Sequence, residues 1–382
     1  MLRSTASPWR IAGLGGLLSV ALMAVACSGA YGETAAPATA GEGGSLGDGE
    51  SEGGDTIPPT VLSNEPPDAA TRVANTTAIR ATFSEAMAPL TLTSLTFRLA
   101  QGAVTIPGTV TYFDRSATFA PASELALGTT YTATITTAAE DLAGNALASA
   151  HTWTFTTDAT APLGPAPVLL GLAGKYVILA SDAIANTPTS VVGGDVGISP
   201  AGSSSITGFV LNDAGTKWTS SQVLGGVFTA DNAPPTPSNL TLAVADMAKA
   251  YSDAAGRPTP TFVELGGGAI GGLMLTPGLY AWSSAVSVAA DVTISGGPND
   301  VWIFQIKNSL TMSAGTVMTL SGGARSKNIV WVAGSVTAGS GSHAEGIVLS
   351  KTSILLGSGA SINGRLLAQT TVDLLSATAT AP

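Results

Sequence analysis

The chain is 382 residues long, enough for two domains plus appendages, and only 10% of it is charged, against about 25% in an average soluble domain. Its formal net charge of −10 excludes a nucleic-acid partner, because such binding rests on clustered Lys and Arg neutralising phosphates, and gives an anionic membrane surface nothing to attract. With 45% apolar residues, 46 glycines and few aromatics, the composition excludes general disorder and points to β architecture with many tight turns.

Arg3 and Arg10 precede an apolar run from Ile11 to Val25. The run is shorter than the roughly 20 residues of a membrane span and fits the apolar region of an export signal. It ends in "MAVAC". Ala24-Val25-Ala26 suits ordinary signal-peptide cleavage, whereas the single cysteine, Cys27, followed by Ser28 and Gly29, is similar to a bacterial lipobox and would be lipidated. Residues 1–27 are therefore read as a signal peptide or lipobox on an exported chain that is tethered to the cell envelope through Cys27 or else secreted. No cysteine pair is left to form a disulfide. Residues 28–55 are rich in Gly, Ser, Ala and acids without apolar periodicity, a flexible linker with a reach of roughly 30 Å. The run "GDGESEGGD" lacks the ligand spacing of an EF-hand, and no metal is expected there.

Residues 56–157 carry short alternating runs: "TAIRATFS", "GTVTYFDRSATFAP", "TTYTATITT" and "HTWTFTT". Such spacing predicts an antiparallel β-sandwich. "IPPTVLSNEPPDAA", "IRATFSEAM", "YTATITTAAEDLAGNAL" and the closing "WTFTT" resemble a bacterial Ig-like domain of the group-5 type, which implies a spacer or adhesion module. Asp141, Gly144 and Asn145 are read as a turn. Residues 158–167, "DATAPLGPAP", form a Pro-rich, semi-rigid linker.

Residues 168–382 repeat. "SLTMSAG" (309–315), "SVTAGSG" (335–341), "SILLGSG" (353–359) and "TVDLLSA" (371–377) lie over one another, each preceded by an apolar run such as "VWIFQI" or "NIVWVAG". Three short strand-like pieces per cycle predict a β-solenoid with triangular rungs stacked about 4.8 Å apart. The "VWIFQI" side is apolar in consecutive positions and must be covered on both sides. Its predicted cover is a helix over 238–258, with Leu240, Val244, Met247 and Tyr251 in one stripe, Ser238 or Asn239 as cap, and Gly256 and Pro258 as stop. The overall expectation is a mainly β chain, an N-terminal Ig-like β-sandwich followed by a β-solenoid with one long α-helix packed alongside.

The other two sides carry small hydroxyl residues. With Ile294, Leu320 and Ile362 inward, Thr293, Ser295, Thr319, Ser321, Ser361 and Asn363 point outward and form the first candidate face, interrupted by His343 and Glu345. A second candidate face holds Thr311, Ser313 and Thr337 but loses its pattern towards the C-terminus, at Leu355 and Asp373; the first keeps its pattern better. Rows of Thr and Ser, short and rigid, lose little entropy on contact, and a repeat close to a lattice spacing can match ice.

"LAGKYVILASDAIANTPTSVVGGDVGISPAGSSSITGF", "DMAKAYSDAAGR", "VELGGGAIGGLMLTPGLYAWSSAVSVAADVTISGGPNDVWIFQI" and "KNIVWVAGSVTAGSGSHAEGIVLSKTSILLGSGASINGRLLAQTTVDL" together resemble the DUF3494-type microbial ice-binding proteins. The resemblance implies a discontinuous right-handed β-solenoid with a helix alongside, adsorption of one flat face to an ice crystal surface, and antifreeze or ice-recrystallisation-inhibiting activity from a monomer without a cofactor. A catalytic reading has little support: the histidines are His151 and His343, no nucleophile or phosphate-loop motif occurs, and Asp291, Asp300, Glu345 and Asp373 are scattered. The alternative is a cell-surface adhesin for a polysaccharide or protein, for which Trp282, Trp302 and Trp331 are the candidate stacking residues, although Trp302 and Trp331 lie in the apolar strands and read as core.

Overall fold

The computed structural model describes residues 55–382. The export segment with Cys27, and the linker up to residue 54, lie outside the described residues. The rest is mainly β, with one long helix.

Residues 55–157 form two facing sheets. One holds Val61–Glu65, Ile79–Phe83, Ser116–Pro121 and Gly108–Phe113; the other holds Ala70–Val73, His151–Thr157, Thr130–Ile135, Phe97–Gln101 and Val104–Ile106, each in spatial order. Alternation aims Ile79, Ala81 and Phe83 from the first and Tyr131, Ala133, Ile135, Trp153 and Phe155 from the second into one shared core. One pairing departs from the antiparallel expectation: Ala70–Val73 runs parallel to His151–Thr157. Between Glu65 and Ala70 the chain crosses to the other sheet at Pro66 and Pro67 instead of turning back in a hairpin.

From Tyr176 onward, parallel strands pair in register, pass after pass, apart from Trp218–Ser220, which runs antiparallel to Asn212–Asp213 and to Val223–Thr229. One inward column runs Phe262, Tyr280, Phe304, Trp331, Val348, Leu366, Ile178, Val196, Val227. Its order is not the chain order. Tyr176–Ala180 stacks on Ser361–Ala368, so the N-terminal passes extend the stack beyond the C-terminal ones. Phe262 meets Tyr280 and Phe304 meets Trp331 face to face, the latter pair with centroids 3.9 Å apart and planes at 14°, while Tyr280 is tilted by 36° against Phe304. Polar handles find backbone carbonyls: Trp302 Nε1 donates to Leu275 O at 3.1 Å and Trp331 Nε1 to Glu345 O at 2.8 Å. At one corner the passes approach so closely that a side chain has no room. A Cβ on Gly364 would lie 1.7 Å from Gly346 O, and Gly346 itself has φ +112°.

The helix spans Thr236–Gly256 and covers a second layer made of Leu279, Ile303, Val330, Val332, Ile347, Leu349 and Leu367. It differs from the predicted helix in two ways. It starts earlier, after Pro235 and with Pro237 in its first turn, where a missing N–H costs nothing, so Ser238 and Asn239 do not cap it. Its buried stripe is Leu240, Ala243, Met247, Ala250 and Ala254, with Val244 and Tyr251 only half buried at its flank. Alanine brings the helix axis closer to a flat sheet than Val or Tyr would. At the C-terminal end, Gln305 Nε2 donates to the carbonyls of Ala254 at 2.9 Å and Arg257 at 3.0 Å, satisfying acceptors the helix leaves free.

Candidate functional site

With one side under the helix, the stack presents two others. The first candidate face begins as a three-stranded sheet in which Met274 pairs with Thr293 and Thr293 with Thr319, while Ser295 pairs with Ser321. Thr319 is exposed; Thr293, Ser295 and Ser321 are half buried. The row then changes character. Val317 bridges to His343, which pairs with Ser361, and Glu345 pairs with Asn363. His343 Nδ1 lies 2.8 Å from Ser361 Oγ, and its Nε2 lies 3.1 Å from Glu345 Oε1. The other carboxylate oxygen of Glu345, which is 9% exposed, accepts from Ser326 Oγ and from Asn363 Nδ2 at 3.1 Å. Ser326 belongs to the short turn Ser326–Asn328, which leans over this part of the face. Asn363 and Ser361 are thus held in a side-chain network.

The second candidate face pairs in one continuous register, although Leu355, Asp373 and Ala185 take the place of hydroxyl residues in its later passes. Ser287 pairs with Thr311, Thr311 with Thr337, Thr337 with Leu355, Leu355 with Asp373, Asp373 with Ala185 and Ala185 with Thr207. A flanking row starts Ser309–Ser335 and continues in the same register through Ser353 to Thr371 and Ala183. Every side chain of this flanking row is short and half buried between its neighbours. Ser313 is exposed at the corner and is followed in its row by Gly339, whose N–H donates to Met312 O at 3.0 Å.

The reading from sequence named Thr311, Ser313 and Thr337 but missed Ser309, Ser335, Ser353 and Thr371. The signal was present: each is the first residue of a repeat segment, two positions before an outward neighbour. The three tryptophans suggested for sugar stacking all lie in the core, Trp282 at 3%, Trp302 at 0% and Trp331 at 1% exposure, so none of them offers a ring to a glycan.

Ser361, His343 and Glu345 form a hydrogen-bonded row partly covered by the Ser326 turn, and none of them lines the 700 Å³ cleft between Asn75 and Arg325. Asp55, Glu85 and Asp141 bring carboxylate oxygens within 4.8 Å of one another in the Ig-like domain. Asp141 is committed to the predicted turn, accepting from Ala143 N at 2.8 Å and Asn145 N at 2.9 Å, and burial together with Asp55 pushes the Glu85 carboxyl up. Among the described residues no helix is long and apolar enough to cross a membrane.

Parallel strands stacked in register, with rows of small side chains on two sides and a helix on the third, define the class of fold to which the chain belongs. The chain belongs to the ice-binding-like family, whose pattern matches residues 178–380; a bacterial Ig-like domain pattern matches residues 55–157. Ice-binding protein K3-B1 of Typhula ishikariensis is 52% identical over 176 residues, covering 45% of this chain and 72% of the relative. The solved ice-binding protein LeIBP from an Arctic yeast is 46% identical with a TM-score of 0.56, over 56% of this chain and 94% of that one. The DUF3494 domain of Shewanella frigidimarina ice-binding protein_1 is 26% identical with a TM-score of 0.54, over 57% of this chain and 99% of that domain.

Proposed function

We propose that the chain adsorbs to ice without catalysis, through the face built on Ser287, Thr311 and Thr337 with the row Ser309, Ser335, Ser353 and Thr371 beside it. The observation that carries this reading is register: equivalent positions of successive passes pair directly, so hydroxyls and methyls repeat at about 4.8 Å along the stack and about 6.7 Å along each strand. Short side chains on a paired sheet have little freedom to lose, so each weak contact with an ordered water layer is retained and many add up. The first candidate face supports the reading less well, because His343, Glu345 and the Ser326 turn break its row. Membership of the ice-binding-like family supports ice as the partner. We read the stack itself as a discontinuous right-handed β-solenoid; parallel in-register strands and the strong right-handed preference of parallel crossovers support this. The same reading places the chain outside the cell, anchored through Cys27 or released.

The test is thermal hysteresis of the full chain carrying Thr337→Tyr, Thr311→Tyr or Thr319→Tyr, with circular dichroism to show that each is folded. Thr337→Tyr and Thr311→Tyr are expected to lower hysteresis several-fold and Thr319→Tyr to leave it near the parent value. The reverse pattern moves the site to the first face. A folded parent chain without hysteresis or recrystallisation inhibition sinks the reading.

A further inference from the structure

The Ig-like domain is tied to the stack at two separate places. At the first, Asn299, 9% exposed, donates through Nδ2 to Arg72 O at 3.0 Å and to Asp158 Oδ2 at 3.2 Å, and Arg72 Nε lies 3.5 Å from the same carboxylate. The linker is pinned beside it: Leu163 N donates to Asp300 Oδ1 at 2.7 Å, and Val301 N donates to Leu163 O at 2.9 Å. At the second, Lys175 Nζ lies 2.7 Å from Asp114 Oδ2 and 4.9 Å from the centroid of the Phe113 ring. Val301 leads into Trp302–Met312 and Lys175 into Tyr176–Ala180. In the stack, Ile329–Ala338, His343–Ser350 and Ser361–Ala368 stand between those two strands. At about 4.8 Å per step the two ties are roughly 19 Å apart.

Both lie on the helix side. Leu172 N donates to Asp246 Oδ2 of the helix at 2.7 Å, and Arg257 at the helix end donates to the carbonyls of Ala166 and Pro167. The cleft left between the domains opposes Glu65 and Glu124 on the Ig-like wall to Arg325 and Lys327 on the stack wall, a complementary charge arrangement. Arg325 precedes, and Lys327 lies within, the turn that leans over the first candidate face, so the Ig-like domain stands at that corner, away from Thr311 and Thr337.

We infer that the Ig-like domain is a fixed outrigger rather than a swinging spacer: two-point docking on the helix side prevents rotation and keeps the domain clear of the Thr311/Thr337 face. The docking stands on its own contacts; only its purpose rests on the ice-adsorption reading. A single tie would leave the domain free to turn about it. Two ties some 19 Å apart, with the linker laid between them, do not.

The test uses small-angle X-ray scattering and calorimetry on the full chain and on the triple variant Arg72→Ala/Asn299→Ala/Lys175→Ala. The parent is expected to show one cooperative transition for residues 55–382 and scattering that fits a single rigid body. The triple variant is expected to show two transitions and a longer maximum dimension. The inference is overturned if the parent already scatters as two independent bodies, or if the folded triple variant gives the parent profile. Should the triple variant fail to fold, Asn299→Ala/Lys175→Ala carries the same comparison, because it removes the side-chain donor of each tie and leaves the Arg72–Asp158 pair in place. A parent chain that scatters as one rigid body but shows no hysteresis speaks against the ice reading alone, and a parent that scatters as two bodies with hysteresis intact speaks against the docking alone.

Discussion

Glu345 illustrates how far a single residue can be read. In the sequence it is an acid that breaks a row of small outward residues. In the structure it is the hub of that break, accepting from Ser326, Asn363 and His343 while its own carbonyl receives the Trp331 indole N–H. A buried carboxylate is tolerated only when its oxygens are hydrogen-bonded, and here they are. Replacing Glu345 with Ala would leave the Ser326 hydroxyl without its acceptor in a largely closed site and the Asn363 amide with Ser326 Oγ alone. The expected cost is about 1–3 kcal/mol of stability in urea unfolding. By the argument above, hysteresis of the folded variant should hold at its parent value, because the substituted group lies off the Thr311/Thr337 face. The aromatic column shows the opposite case: Tyr280, Phe304 and Trp331 read simply as apolar strand residues, and only the register reveals that they stack on one another.

Among the elements, the helix separates what periodicity can and cannot specify. A stripe on the right face was visible, and Leu240 and Met247 belong to it. The assignment of Val244 and Tyr251 to the same stripe was a rotation error, because alanines carry little signal in a hydrophobic pattern yet decide how closely a helix can lie on a sheet. Ala243, Ala250 and Ala254 are fully buried against the stack. Ala250→Leu should therefore overpack this contact and destabilise by about 1–3 kcal/mol. The control Leu242→Ala, at a position 51% exposed, should change stability by less than about 0.5 kcal/mol. Chemical denaturation of both variants checks the stripe; equal effects would mean the helix does not face the sheet as described. The strands of the repeat were the most legible elements, since an in-register parallel stack demands the same residue character at the same place in every pass.

For the whole molecule, the consequence of the two-point docking is a dependence on pH. Burial alone would raise the Asp158 carboxyl, but hydrogen bonds from Thr160 and the nearby Arg72 guanidinium outweigh it and hold the group below its ordinary value. A depressed folded-state value means that the stabilisation is fully present above the unfolded value of about 3.9 and is lost as pH falls through the folded one. Acidification below about pH 4 should thus loosen the first tie. Scattering from the full chain should lengthen in that range, and Asp158→Asn should remove the part of the transition owed to this group. Asp141 and Asp231 are held low as well, so general acid unfolding has to be followed in parallel by circular dichroism.

Local pattern determined the two-part organisation, the mainly β character, the single long helix and the family. Each of these follows from composition, from a period of two or of 3.6, or from long motifs that can be read without knowing where they lie in space. Tertiary structure decided the rest. That the first hydroxyl-bearing side closes into a side-chain network depends on a turn, Ser326–Asn328, folding back onto Glu345 and Asn363 across a pairing no local pattern encodes. The N-terminal passes stack on the C-terminal ones through contacts between residues almost two hundred positions apart. The docking of the Ig-like domain joins Arg72 and Asp158 to Asn299. Long-range pairings of this kind are settled by the geometry of the finished stack, because their partners are brought together only once every intervening strand has found its register.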